Sequence, residues 1–496
     1  MKVTLISPFP DVYSYGIRII SAVLKQAGHE TQILFLTRDF WDPYSPKVID
    51  QVIEKCKGSD LVGMTVFSNF WENCQMVTRA IRERLDIPVA WGGIHATVRP
   101  EETLTEADFA VVGEAEETVL ELMEHLKKKK AGLPNGQAIP GLRERGQEEF
   151  IQRSPLADLD QIPLPDYDLE THYILNGEDL VPMTPALLGK ATKGIYQTIP
   201  SRGCPYNCTF CANVYLNRVF PENMKVRHMS MRKLVAEIET IRARYPVFNH
   251  VKFDDDAFFV IDYDELAVFA EEYKKRIGLP LIVTGITANT IRRDKIELLV
   301  NAGMAEVRVG IVSATEKMRK EYARPQTERK VMEAAKLLSE FTDRCLPNYD
   351  LIIESPWETE EGLVETMRFM LDMPIPYRLW LCSLTYYPGT DVYDRAKAEG
   401  LIQDDVKDVY RKYYHKLQPT YLNSLFRALS HHTYMNEKIP KRLFLLATQP
   451  WARKTPVGWV FSWLIWTRLK TVARLKYLRM KWTGALPTRN LIPVTE

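Results

Sequence analysis

IYQTIPSRGCPYNCTFCAN (195–213) is the stretch on which the reading of this chain turns. IYQTIP has the composition of a buried strand, and the loop that follows it carries Cys204, Cys208 and Cys211 in the spacing C-x3-C-x2-C. Structural zinc sites pair one such Cys group with a second Cys or His pair, and none follows here. Three thiolates on one short loop suit an iron–sulfur cubane, whose iron corners lie close together. Three ligands leave the fourth iron open to bind something else. The remaining cysteines (Cys56, Cys74, Cys345, Cys382) stand alone among apolar or helical neighbours and read as inert thiols. Seven in 496 residues are too few for a disulfide scaffold.

Downstream, strand-type segments recur at NHVKFDD (249–255), LPLIVTGI (279–286), AEVRVGI (305–311), LPNYDLII (346–353) and YRLWLCSLTYY (377–387). Amphipathic stretches near 230–244, 262–277, 292–302, 327–342 and 358–372 separate them. Six strands with five intervening helices predict a partial (β/α)6 barrel over 195–402, with functional residues at the carboxyl ends of its strands. Upstream, residues 1–130 alternate in the same way: KVTLIS (2–7), TQILFL (31–36), LVGMTVF (61–67), IPVAWGG (87–93) and DFAVVGE (108–114) between helices. In EETVLELMEHLKKKK, residues Val119, Leu122, Met123 and Leu126 repeat at helical spacing. This predicts a doubly wound parallel sheet. The Lys127–Lys130 run reads as a solvated helix end. Residues 131–194 fill with Pro, Gly and Asp and read as a linker packed between domains, while 403–496 reads as helical.

The chain is 46% hydrophobic and 26% charged with net charge +1, a globular balance that gives no reason to invoke nucleic acid. Neither a signal peptide nor an apolar run long enough to span a bilayer is present, so a cytoplasmic protein is expected.

C-x3-C-x2-C with Phe210 before its last cysteine, placed after a barrel strand, resembles the radical S-adenosylmethionine (SAM) superfamily. That resemblance implies a [4Fe-4S] cluster on Cys204, Cys208 and Cys211 whose open iron chelates the amino and carboxylate groups of SAM. Reductive cleavage then yields a 5′-deoxyadenosyl radical. Asp254, Asp255 and Asp256 occupy the place of the family's turn that receives the SAM amino group; a helix N-cap cluster is the competing reading. NAGMAEVRVGIVSATE (301–316) resembles a G-I-E-S-G segment, with Ser313 matched. YDLIIESPWETEEG (349–362) resembles D-x-I-x-G-x-P-x-E-T, and YYPGTDVYDRAKAEGLI (386–402) resembles a P-G-T-x-L-Y segment. Val312 and Ala314 depart from G-I-E-S-G, and Glu354 and Trp357 stand where relatives often carry Gly. A distinct substrate pocket is expected there.

In the first domain no G-x-G-x-x-G follows the first strand, so a dinucleotide fingerprint is missing. What lies at its strand ends is Ser68-Asn69, then Gly92-Gly93-Ile94-His95-Ala96-Thr97, then Gly113-Glu114. This layout resembles the cobalamin-binding domain of B12-dependent radical SAM enzymes, in particular the group with anaerobic magnesium-protoporphyrin ester cyclase and the hopanoid methylases. It implies that Ser68, Asn69, Gly92, Gly93, His95, Thr97, Gly113 and Glu114 cradle a corrin. D-x-H-x-x-G is missing, so cobalamin is expected base-off, with His95 a hydrogen-bonding loop residue rather than a cobalt ligand.

The resemblance implies methyl transfer to an unactivated carbon from methylcobalamin. A cyclisation, oxidation or rearrangement on the same architecture is the alternative, and a non-catalytic cofactor-binding sensor or carrier is the alternative from another class. No catalytic proton donor or acceptor is identified. Flavodoxin or ferredoxin is the expected electron donor, and the substrate a small or lipid-like molecule. From Lys438 to Thr495 there are twelve Lys and Arg and no Asp or Glu. Residues 456–482, with Trp459, Trp463, Trp466 and Trp482, read either as an interfacial helix at a membrane surface or as a helix packed on the barrel or a partner.

Overall fold

The computed structural model describes residues 1–133, 138–435 and 441–454, together with Trp459, Val460, Trp463 and Thr467. Most of 456–482 therefore lies outside the described residues. The chain divides into two compact units: Met1–Arg308 with Lys320–Pro325 and Thr385–Tyr413, and Val309–Arg319 with Gln326–Leu384 and Tyr414–Glu496.

The first unit opens with an eight-stranded sheet. Its strands are β1 (Lys2–Ser7), β2 (Glu30–Phe35), β3 (Leu61–Thr65), β4 (Val89–Gly92), β5 (Phe109–Val111), β6 (Leu142–Glu144), β7 (His172–Asn176) and β8 (Asp179–Pro182). They lie in the order β6-β5-β4-β3-β1-β2-β7-β8. The strands β5, β4, β3, β1 and β2 run parallel, as their near-continuous apolar runs require of strands covered on both faces. Their helices follow the apolar spacing; Tyr15–Gln26 buries Ile17, Ile19, Val23 and Leu24. That helix stops where Gly28 takes φ +82° and the next amide, of His29, returns to the Leu24 carbonyl.

The stretch expected to be a linker differs from that expectation. It supplies β6, antiparallel to β5, and the pair β7 and β8, with β7 parallel to β2. Its Pro and Gly content hid strands of three to five residues, which are too short to show a period of two. The burial holding it down is polar: Asp166 accepts from Ser21 Oγ at 2.6 Å and pairs with Lys25 at 2.9 Å. Arg18, fully buried, donates to the Asp166 carbonyl at 2.8 Å.

The next strands are β9 (Ile195–Thr198), β10 (Ser201–Arg202), β11 (Arg227–His228), β12 (His250–Phe253), β13 (Leu281–Ile286) and β14 (Met304–Val312), of which β9, β12, β13 and β14 belong to the barrel sheet. β12 pairs in parallel with both β9 and β13, while β10 and β11 form a short antiparallel ribbon at the carboxyl end of β9. In the second unit β15 (Leu346–Ile353) and β16 (Arg378–Ser383) are parallel over six residue pairs. Helices separate the long strands, capped by the side chains of Ser230, Thr327 and Thr359. The alternation is that of a partial (β/α)6 barrel of the TIM type. Beyond it the described residues are helical, at Tyr421–Met435, Lys441–Ala447 and Pro450–Lys454. No helix among the described residues is long and apolar enough to cross a membrane.

Candidate functional site

The cysteine loop leaves the β10 end through Gly203, whose φ is +94° and whose missing Cβ would lie 2.5 Å from the Asn223 carbonyl oxygen. Only glycine fits both the torsion and the approach. The Cys204 amide donates to that same carbonyl at 2.9 Å, fixing the first cysteine. Cys204 and Cys208 are buried and Cys211 half-buried. Burial pushes the Cys204 thiol up to about 12 and the Cys211 thiol up to about 11. Arg324 Nη1 donates to Cys208 Sγ at 3.3 Å, and Asn213 Nδ2 approaches Cys211 Sγ at 3.7 Å. Among the described residues no three His, Cys, Asp or Glu groups close round a single ion. A cubane needs no such convergence, because each thiolate binds its own corner; the all-sulfur donor set fits that group.

The three aspartates part company. Asp255 is buried and accepts from Ser201 N and Ser201 Oγ, each at 2.8 Å, and from Ala257 N at 2.8 Å, so it ties β12 to β10. Burial lifts its carboxyl to about 6. Asp254 faces Lys252 at 3.0 Å and Gln197 at 2.8 Å. Asp256 alone joins the cysteine loop, accepting from Asn213 Nδ2 at 3.1 Å. Gly285 makes this turn possible: its φ is +73°, and a Cβ there would stand 1.8 Å from the Asp255 carbonyl oxygen. Phe210 sets its ring edge-on to Tyr322 at 5.3 Å.

Ser313 lies in the second unit. Its hydroxyl donates to Glu358 Oε1 at 3.2 Å, and burial raises the Glu358 carboxyl to about 7. Val312 (φ +74°) and Glu354 (φ +62°) both hold a left-handed backbone, the conformation that glycine adopts without strain. Glu354 offsets the strain by accepting from Gln418 N at 2.5 Å and Asn423 Nδ2 at 2.6 Å.

At the carboxyl edge of the first sheet the residues singled out from the sequence bond mainly to one another and to neighbouring protein. Ser68 Oγ and His95 Nδ1 share a hydrogen bond at 3.0 Å. His95 is fully buried against Trp71 and Tyr410, and burial lowers it to about 3, so its ring is neutral. Asn69 Nδ2 donates to the carbonyls of Tyr410 and Lys412 at 2.7 and 2.9 Å. Thr97 Oγ1 donates to the Gly93 carbonyl at 3.0 Å and accepts from Gly113 N at 3.0 Å. Gly93 needs its φ of +91° to pack on Val66, Gly92 closes β4, and Gly113 faces the Phe220 ring. Glu114 is an ion-pair hub, bound by Arg227 at 2.7 Å and by Arg202 at 3.2 Å. These two arginines hold its carboxyl below the usual range against the opposing effect of burial. The sequence reading passed over Arg202 and Arg227, although Arg202 stands two residues before Cys204. It also passed over Phe67, which is 47% exposed at this edge and stacked on Phe9 at 4.5 Å. An open aromatic face at the β1/β3 switch point suits a large flat ligand.

Comparison with known proteins agrees with this geometry. The B12 binding domain family matches residues 1–123, and the Radical SAM superfamily matches 198–370. The chain belongs to the cobalamin-binding radical SAM superfamily. Its cofactors are a [4Fe-4S] cluster, SAM and cobalamin. Among relatives of this superfamily, an uncharacterized methyltransferase of Pyrococcus horikoshii is 25% identical over 424 residues, covering 81% of this chain and 84% of the relative. The anaerobic magnesium-protoporphyrin IX monomethyl ester cyclase of Rubrivivax gelatinosus is 25% identical over 400 residues, covering 75% and 64%. In fold the chain is similar to the radical SAM methyltransferase TsrM of Kitasatospora setae, solved with cobalamin and a [4Fe-4S] cluster. The TM-score is 0.61 at 20% identity, covering 80% of this chain and 78% of that one.

Proposed function

We propose that the chain is a cobalamin-dependent radical SAM methyltransferase that places a methyl group on an unactivated carbon. The observation that carries this reading is the Glu114 hub, which roots the cysteine loop, through Arg202, in the strand-end loops of the B12 domain. Both cofactor regions thereby belong to one compact unit. When bound, the cluster with SAM supplies a carbon-centred radical and cobalamin supplies a transferable methyl group.

The chain's own residues set the conditions. Cys204, Cys208 and Cys211 would hold three irons. Asp256 would receive the SAM amino group, held by Asn213 on the loop that also carries Cys211. Phe67 and Phe9 would bear the corrin, and His95, neutral and bonded to Ser68, would serve as a hydrogen-bonding residue of the cradle. Ser313 and Glu358 form a separate polar pair for SAM or substrate. Functionally, 1–130 serves cobalamin, 195–402 serves radical generation, and the described residues beyond 403 add helices Tyr421–Met435, Lys441–Ala447 and Pro450–Lys454. Flavodoxin or ferredoxin is the proposed electron donor. The basic, Trp-rich 456–482 is the proposed contact with a membrane surface, supported by the exposure of Trp459 and Trp463. A lipid-like substrate follows from that contact.

The test is product analysis with reconstituted protein, a strong reductant and SAM. Substrate turnover is expected to give S-adenosylhomocysteine and 5′-deoxyadenosine together. Deoxyadenosine alone replaces methyl transfer with cyclisation or oxidation, and no SAM cleavage removes the enzyme reading altogether.

A further inference from the structure

Of the three cysteines, Cys208 is the one faced by a cation. Arg324 Nη1 donates to Cys208 Sγ at 3.3 Å, whereas the side chain that approaches Cys211 is the neutral amide of Asn213, at 3.7 Å. The arginine is held there by a short strap, Lys320–Pro325, that clasps the cysteine loop. Thr209 N donates to the Tyr322 carbonyl at 3.3 Å and Thr209 Oγ1 to the Glu321 carbonyl at 2.9 Å. The Tyr322 ring meets Phe210 edge-on. Glu321 is tied in turn to Arg395 at 2.5 Å, and the Val392 amide donates to the Thr209 carbonyl at 3.1 Å. Ala323, at φ +48°, turns the chain immediately before Arg324. The sulfur, the strap and the brace on Glu321 all belong to the first unit.

We propose that Arg324 is a positioning residue that sets the reduction potential of the cluster through Cys208. Reduction adds one electron, and so one negative charge, to the cluster. A guanidinium bonded to a ligand sulfur stabilises that added charge, and hydrogen bonds to cluster sulfurs raise the potential. The arginine thus makes the cluster easier to reduce by an external low-potential donor, while the strap holds Nη1 against this sulfur. The asymmetry places the stabilising charge at one corner of the cubane. This inference rests on the reading of Cys208 as a cluster ligand.

The experiment is an EPR-monitored redox titration of the full-length reconstituted holoenzyme, with dithionite as reductant and without SAM. Iron and sulfide are counted on each sample first. Arg324→Gln is expected to load the cluster and to shift its midpoint to a more negative potential. The expected change is about tenfold in the ratio of reduced to oxidised cluster, or about 59 mV for one electron. Arg324→Lys keeps a cation but loses the planar fork, and its midpoint is expected between the two. An unchanged midpoint in Arg324→Gln overturns the proposal; combined with weakened SAM binding, it makes the arginine a contact of SAM instead. Should Arg324→Gln fail to load, Arg324→Lys decides, and a wild-type midpoint there overturns the proposal. Failure of the underlying reading looks different: Cys208→Ser would then load a full cluster.

Discussion

The cysteine loop and the carboxyl-edge loops of the first sheet are both strand-end loops, but they differ in where their polar atoms point. In the cysteine loop three sulfurs remain as acceptors, with side-chain N–H donors facing two of them. At the sheet edge Ser68, His95, Thr97 and Glu114 are spent on one another or on neighbouring protein, and the group left facing outward is the Phe67 ring. The lesson is that a cluster is held by particular atoms, whereas a corrin is held by a surface. A ligand of the first kind leaves a residue-type signature, and one of the second kind does not.

The largest effect that could break this contrast is loss of the sulfurs. Replacing Cys204, Cys208 or Cys211 with Ala is expected to abolish SAM cleavage to background, read as 5′-deoxyadenosine, while cobalamin affinity stays within about twofold. Next is backbone. Gly203→Ala forces a Cβ to within 2.5 Å of the Asn223 carbonyl oxygen at positive φ. It is expected to cost about 3 kcal/mol or more in a denaturant melt and to lower iron loading. Gly146, at φ +83° with open space around it, is the control: Gly146→Ala should cost about 1 kcal/mol.

Glu114→Ala sharpens the comparison, because the same residue reads as a corrin contact from sequence and as an ion-pair hub from structure. It leaves the buried Arg227 guanidinium without a carboxylate, whereas Arg202 keeps Glu116, so a loss of about 3 kcal/mol in stability is expected, with reduced cluster loading and little change in cobalamin affinity. A selective loss of cobalamin would return Glu114 to the corrin. Phe67→Ala should do the reverse, weakening cobalamin by roughly tenfold in Kd while leaving iron content unchanged.

The smallest effect is a pH dependence. Burial raises the Glu358 carboxyl to about 7 from an ordinary 4.5. A raised folded-state value gives a contribution to stability that is present below about pH 4.5 and lost as pH rises through about 7. Thermal melts of the apo chain between pH 5 and 8 should therefore fall less steeply in Glu358→Gln than in the wild type. The difference across that window should be on the order of 1–2 kcal/mol, because part of the side chain meets solvent.

Much of the fold was legible because its strands are buried on both faces and its helices carry one apolar stripe. KVTLIS and LPLIVTGI show this directly as strands β1 and β13. Strands β6, β7 and β8 were not legible: they are short, β7 turns into β8 through Gly177, and all three gain their place by pairing rather than by pattern. In the site, the Cys spacing was legible because thiolate chemistry admits few substitutes. Arg324 and Phe67 were not, since an arginine 113 residues beyond Cys211 and a Phe after an apolar strand carry no local mark. Only the strap at Tyr322 and the stacking on Phe9 give them a role.

The most direct test of the central claim is metal analysis of the anaerobically reconstituted chain beside its Cys204→Ala/Cys208→Ala/Cys211→Ala variant. The account predicts about four iron and one cobalt per wild-type chain, with iron lost and cobalt kept in the variant. Iron retained without the three cysteines, or a wild-type chain that takes up no cobalt, would contradict it.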